Sequence, residues 1–156
     1  MNTDKDSKIL SPYAYSFEHT DVERHSKKDF TTIKDFIGEK KDFGQVLDIG
    51  DENPVSEKLS SNYNINISQT DIDLDIEKLN GTFDTVFCFE VVEHLFNPLH
   101  LLLEINKVLV DGGTLNLSTP KRRPHFMWYK YHFHEFSKEE LENLINMISH
   151  MGYDKN

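Results

Sequence analysis

Three side chains near the middle of the chain carry the sharpest chemical pattern: Glu90, Glu93 and His94. If a helical turn follows the strand-like run Phe83 to Phe89, these positions share one face at i, i+3 and i+4. Carboxylates and an imidazole gathered this way can hold a divalent cation or pass a proton, with His94 and Glu93 as the catalytic pair. Glutamates near a helix start are also favoured by the helix dipole alone, so a purely structural reading stands beside the chemical one.

A second pattern is the turn after Val46-Leu47-Asp48-Ile49-Gly50. In an open parallel sheet, ligands sit beyond the carboxyl ends of the strands, where the turn into the first helix brings backbone N–H groups close. Gly50 permits close approach and unusual backbone angles. A plain strand-to-helix turn capped by Asn53 would look the same. The third pattern interleaves Lys121, Arg122, Arg123 and Lys130 with His125, Phe126, Trp128, Tyr129 and Tyr131. Such a loop suits an anionic or ring-bearing ligand, or covers the sheet with its aromatic rings while its cations stay solvated.

The elements that must position these residues alternate between strand-like and helix-like, as in a parallel sheet covered by helices. Phe30, Ile33, Phe36 and Ile37 recur at helical spacing, and Gln45 to Ile49 reads as the first strand. Asn53-Pro54 opens a helix to about Ser60, and Asn97-Pro98 opens another with Leu99, Leu102, Leu103 and Val108 or Leu109 as its apolar stripe. Asn64 to Ser68 alternates enough for a short strand, followed by a segment too compressed for a full helix. Asp111-Gly112-Gly113 reads as a turn before the strand Thr114 to Ser118. Ser137 and Glu140 form a capping box ahead of Leu141, Leu144, Ile145 and Ile148, with Gly152 placed to end that helix. Residues 1 to 20 show no periodicity and read as an arm, leaving 21 to 156 as one domain.

Seventeen basic against twenty-seven acidic residues give a net charge of −10, which disfavours nucleic acid and anionic lipid as partners. Cys88 is the lone cysteine and reads as a buried small hydrophobe, so nothing calls for an oxidising compartment. Neither a signal peptide nor a membrane span is visible, and the cytoplasm is the default location.

Taken with Phe83 to His94 and with Leu109 to Pro120, the Val46 to Gly50 run resembles the class I S-adenosylmethionine-dependent methyltransferases, over about residues 43 to 150. The resemblance implies a Rossmann-like α/β fold: a doubly wound, mostly parallel sheet of about five strands with helices on both faces. The chain stops at Met151-Gly152-Tyr153, about where the family begins its last two strands, so it is either a trimmed form or a sheet that ends early. In the family the first turn carries three alternating glycines against the methionine part of the cofactor. Here only Gly50 matches, with Glu52 and Pro54 in the other two places; Glu52 either pairs with the cofactor's amino group or obstructs its carboxylate.

Among Asp71, Asp73 and Asp75, the resemblance favours Asp71 for the ribose hydroxyls and Asp73 near the adenine. Asp48, Phe89 and Glu90 complete the implied cofactor-binding set. The Glu-x-x-Glu-His pattern is similar to the divalent-metal motif of ubiquinone-pathway O-methyltransferases and of small-RNA 2′-O-methyltransferases. With His132, a better match than His134, it implies a metal set of Glu90, Glu93, His94 and His132 for an ion such as Mg²⁺. The expected activity is S-adenosylmethionine-dependent O-methylation of a small-molecule, sugar or phenolic acceptor. The rivals are a catalytically inactive binding module and a metal-dependent RNA 2′-O-methyltransferase.

Overall fold

The structure, a computed structural model, describes residues 22–39, 42–124 and 129–151. The expected arm, His125, Phe126, Trp128 and the stop at Gly152 lie outside them. Helix α1 (Val22–Ile37) leads into strand β1 (Val46–Asp48), helix α2 (Pro54–Tyr63) and strand β2 (Ile67–Gln69). Strand β3 (Phe83–Phe89) ends in a 3₁₀ turn (Val92–His94), followed by helix α3 (Pro98–Val108), strand β4 (Leu109–Ser118) and helix α4 (Lys138–Met151).

The strands form one sheet in the order β2-β1-β3-β4, and each adjacent pair is parallel. Alternation along the strands splits the core in two. Val46 and Phe87 face one side, where Ile33, Phe43 and Leu59 cover them from α1, α2 and the connection between α1 and β1. Leu47, Ile49, Val86 and Cys88 face the other, under Leu101, Leu102, Ile105 and Val108 of α3 and Ile148 of α4. Helices on both faces make the sheet doubly wound, with four strands among the described residues where about five were expected.

Between β2 and β3 the crossover has no helix. Leu74 and Leu79 of this segment are buried in the second core instead, and the Asp75 carboxylate accepts the Asn97 N–H at 2.7 Å while Glu104 accepts that of Leu79 at 3.2 Å. Two leucines, each worth roughly 1.5–3 kcal/mol when buried, hold down what a helix would otherwise cover.

The caps follow the sequence. Asn53 accepts from the N–H groups of Val55 (2.9 Å) and Ser56 (3.1 Å), and Asn97 accepts from that of His100 at 3.3 Å. Ser137 and Glu140 close their reciprocal box. Three details differ. The α3 stripe is Leu101, Leu102, Ile105 and Val108, whereas Leu99 is exposed; the i, i+4, i+7 series starts at Leu101, not Leu99. Phe36 sits at the margin of the α1 stripe and stays exposed, while Phe30 and Ile37 pack inward. Asp111-Gly112-Gly113 does not precede β4 but lies within it: pairing shifts from Phe83 with Leu109 to Thr85 with Thr114, and Gly112 at φ 79° absorbs the surplus residues as a bulge.

Candidate active site

The carboxyl ends of β1, β2 and β3 lie side by side, and two structures of different character occupy them. At β1, the Gly50 N–H donates to the Thr70 hydroxyl at 2.7 Å and the Gly50 carbonyl accepts the Thr70 N–H at 3.2 Å. Gly50 has φ 116°, where a side chain would be strained. Asp48 is buried below this turn, and burial lifts its carboxyl to about 7. Glu52 is exposed. Pro54 has no N–H, and Asn53 already takes those of Val55 and Ser56, so the start of α2 has little donor capacity left for an anion. Just beyond β2, Asp71 is exposed. Asp73 is spent on its own turn, its side chain accepting the Asp75 N–H at 3.0 Å, and Asp75 braces Asn97.

At β3 the backbone changes character. Glu90 has φ 55°, a left-handed conformation uncommon outside glycine. This bend turns the Glu90 carboxylate to the Ser118 hydroxyl at 2.7 Å, while the Glu90 N–H donates to the Ser118 carbonyl at 3.0 Å. The expected single helical face for Glu90, Glu93 and His94 is therefore replaced by a left-handed residue followed by a 3₁₀ turn. Glu93, His94 and His132 come together, all buried, each offering a ligand atom within 4.8 Å of the others; Glu90 is not in that group.

Within the group, His94 Nδ1 is 3.0 Å from the Tyr131 carbonyl. A carbonyl only accepts, so Nδ1 carries the proton and Nε2 keeps its lone pair, 3.9 Å from Glu93 Oε1. Burial pushes His94 down to about 4, with the Tyr131 bond opposing and His132 adding to the shift. Burial pushes Glu93 up to about 8, assisted by Glu90 and opposed by the Thr119 hydroxyl, which donates to Oε2 at 3.0 Å. Near neutral pH the contact is thus a protonated carboxyl beside a neutral imidazole, not an ion pair. Glu93 Oε1 and His132 Nδ1 are buried with no hydrogen-bond partner among the described residues.

The connection after β4 brings His132 to this group. The Glu93 carbonyl accepts both the Phe133 N–H (2.7 Å) and the His134 N–H (3.2 Å). The His132 ring meets those of His94 and Tyr129 edge-on, at centroid separations of 4.9 and 5.0 Å. His134 instead approaches the Phe96 carbonyl at 3.4 Å. Three of this loop's four cations are engaged: Arg122 with Glu140, Arg123 with Glu135, and Lys130 over the Tyr131 ring. Sequence reasoning missed Thr119, Thr70, the Tyr131 carbonyl and Glu135. Ser118-Thr119-Pro120 at the end of β4 was the available signal for the first; a backbone carbonyl leaves none.

A parallel sheet with its polar groups converging at the strand carboxyl ends defines a ligand-binding α/β domain of the nucleotide-cofactor type. A methyltransferase-domain family model matches residues 22–149, and the chain belongs to that family, the class I S-adenosylmethionine-dependent methyltransferases. Among solved structures, the chain is similar to an S-adenosylmethionine-dependent methyltransferase of Thermotoga maritima (17% identity, 90% of this chain and 79% of that one, TM-score 0.59). It is also similar to the plantazolicin methyltransferase BpumL bound to S-adenosylhomocysteine (15% identity, 88% and 68%, TM-score 0.56). Identities this low establish the fold. Among curated proteins, a ubiquinone biosynthesis O-methyltransferase of Xanthomonas campestris pv. campestris (strain B100) is 46% identical over 44 residues, 28% of this chain and 18% of that protein. Its counterpart in Dechloromonas aromatica (strain RCB) is 38% identical over 48 residues, 31% and 21%. The match thus spans about a fifth of these relatives. Among the described residues, no helix is long and apolar enough to cross a membrane.

Proposed function

We propose that this domain transfers the methyl group of S-adenosylmethionine to a hydroxyl oxygen of a small metabolite, sugar or phenol. The observation that carries the reading is the buried group of Glu93, His94 and His132, gathered after the carboxyl end of β3, the strand that pairs with β1, with the Tyr129 ring against His132. In this reading the cofactor lies across the strand ends, near Asp48, Gly50, Glu52, Phe89 and Glu90, with Asp71 on the ribose. S-adenosylmethionine, when bound, would supply the methyl carbon with its thioether sulfur as leaving group, and the unprotonated Nε2 of His94 would take the proton of the acceptor hydroxyl. An imidazole held near 4 is a weak base, so most of the rate comes from holding oxygen and methyl in line and excluding water.

The donor set also fits a divalent cation: one carboxylate and two imidazoles, with Glu93 Oε1 buried and without a hydrogen-bond partner among the described residues. Glu93, His94 and His132 would hold it, and a bound cation would supply Lewis acidity that lowers the acceptor hydroxyl's pKa. The names of the curated relatives favour oxygen as the acceptor atom. The chain's charge and the pairing of Arg122 and Arg123 favour a small molecule over nucleic acid.

A second reading is a binding module without catalysis, favoured by the closed start of α2 and the exposed Glu52 where the family has glycine. The test is transfer of labelled methyl to a panel of catechols, phenols and sugars, with and without Mg²⁺. Label on a hydroxyl with wild type and none with His94→Ala supports O-methylation; a cofactor-saturated protein that labels only amines would overturn it.

A further inference from the structure

We propose that Glu135 is a positioning residue for His132: its carboxylate, clamped by Arg123, accepts the His132 Nδ1–H and leaves Nε2 as the nitrogen whose lone pair serves the Glu93–His94 group. The functional value of this placement rests on the reading that the group is the acceptor site. The placement itself rests on geometry.

The Glu135 side chain is 6% exposed. Its Oε2 accepts the Arg123 N–H at 3.0 Å, and Oε1 lies 3.6 Å from the Arg123 guanidinium. The Glu135 carbonyl accepts from Arg122 Nε at 2.9 Å, so main chain and side chain are both tied. Oε1 also lies 3.5 Å from His132 Nδ1. These two atoms are buried without hydrogen-bond partners among the described residues, so each is the other's available partner across a gap a few tenths of an ångström too long. Oε2 accepts from the Arg123 main chain and Oε1 faces the Arg123 guanidinium, so the carboxylate is placed as an acceptor on both oxygens and a bond to His132 requires the hydrogen on Nδ1.

His94 meets the same constraint from the Tyr131 carbonyl. Both imidazoles therefore have Nδ1 tied to a group that only accepts, and both offer Nε2. Such outer partners fix ring orientation and tautomer at proton-transfer and metal sites alike.

The test labels histidine with ¹⁵N in the full chain and reads tautomers from long-range ¹H–¹⁵N spectra at about pH 8, above the ordinary imidazole range. His132 is expected as the Nδ1–H form in wild type. Glu135→Gln, whose amide both donates and accepts, is expected to shift that population, and Glu135→Asp to restore it in part. Zn²⁺ affinity measured by calorimetry is expected to fall about 10- to 100-fold in Glu135→Gln. An Nε2–H form in wild type overturns the proposal and needs no variant to fold. A tautomer unmoved in a folded Glu135→Gln overturns it as well. A tautomer that follows Glu135 in a protein that binds no Zn²⁺ and transfers no methyl supports the positioning role and removes the functional reading instead.

Discussion

The two halves of the strand-end cleft are built on opposite plans. At β1 the turn is polar and satisfied: Gly50 and Thr70 exchange hydrogen bonds, Asn53 closes the next helix, and Glu52 stands in solvent. At β3 the backbone is bent into a left-handed residue, Glu93 and His94 are shifted in opposite directions, and Glu93 Oε1 and His132 Nδ1 are buried without hydrogen-bond partners among the described residues. Strain and unsatisfied groups persist only where surrounding structure holds them, and they mark where an ordinary turn would have sufficed but was not used. Under the proposed function, the chemistry belongs to the β3 half and plain ligand contact to the β1 half.

The contrast breaks most visibly at His94. His94→Ala should lower methyl transfer by about 10²- to 10⁴-fold, with cofactor affinity within about threefold of wild type because the β1 turn is held in shape by the Gly50–Thr70 hydrogen bonds. Equal turnover in the variant would remove the β3 half from the chemistry.

Next in size is Asp48, the one perturbed carboxyl on the β1 side. Its folded value of about 7 lies above the ordinary 3.8, so the folded state binds the proton more tightly. The stability it contributes is complete below 3.8 and lost as pH rises through 7. His94 has the opposite sign: its contribution is present above 6.5 and lost as pH falls through about 4. Above 6.5 the slopes of Asp48, up to about 7, and of Glu93, up to about 8, remain, so Asp48→Asn should raise the unfolding free energy at about pH 8 by about 1–3 kcal/mol and make its decline shallower without abolishing it, read by urea titration across pH.

A smaller effect is expected at Asn53. Asn53→Ala frees two N–H groups and should cost about 1 kcal/mol, lowering the melting midpoint by roughly 2–4 °C, with transfer unchanged at a temperature well below it. The smallest belongs to Glu52. Glu52→Gly restores the family's residue at an exposed site, so stability should move by less than about 0.5 kcal/mol. Cofactor affinity should rise by no more than about fivefold, as read by calorimetry, if Glu52 opposes the carboxylate. A fall in affinity would instead make Glu52 a partner of the cofactor's amino group.

Residues that act through local backbone chemistry were legible in the sequence. Asn53, Asn97 and the Ser137–Glu140 box announced their helix starts, and Val46 to Gly50 with Phe83 to Phe89 announced the central strands. The missing crossover helix showed as a short segment between Ser68 and Phe83. What depends on three-dimensional closure did not show. Nothing near Glu90 signals its left-handed bend, because the constraint comes from Ser118 on the neighbouring strand. The groups facing Nδ1 of His94 and of His132 are a backbone carbonyl and a glutamate set among histidines and aromatics, so residue type alone could not single them out. The phase of the α3 stripe was misread because Leu99, Leu101, Leu102 and Leu103 crowd one turn, and only packing on the sheet selects among them.

The central claim is that a cleft with one plain half and one chemical half still takes the cofactor. Calorimetric titration of the purified, folded protein with S-adenosylmethionine and S-adenosylhomocysteine, with and without Mg²⁺, tests it most directly. Saturable binding of both at one site per chain is the predicted result; a folded protein that binds neither, under either condition, would contradict the account.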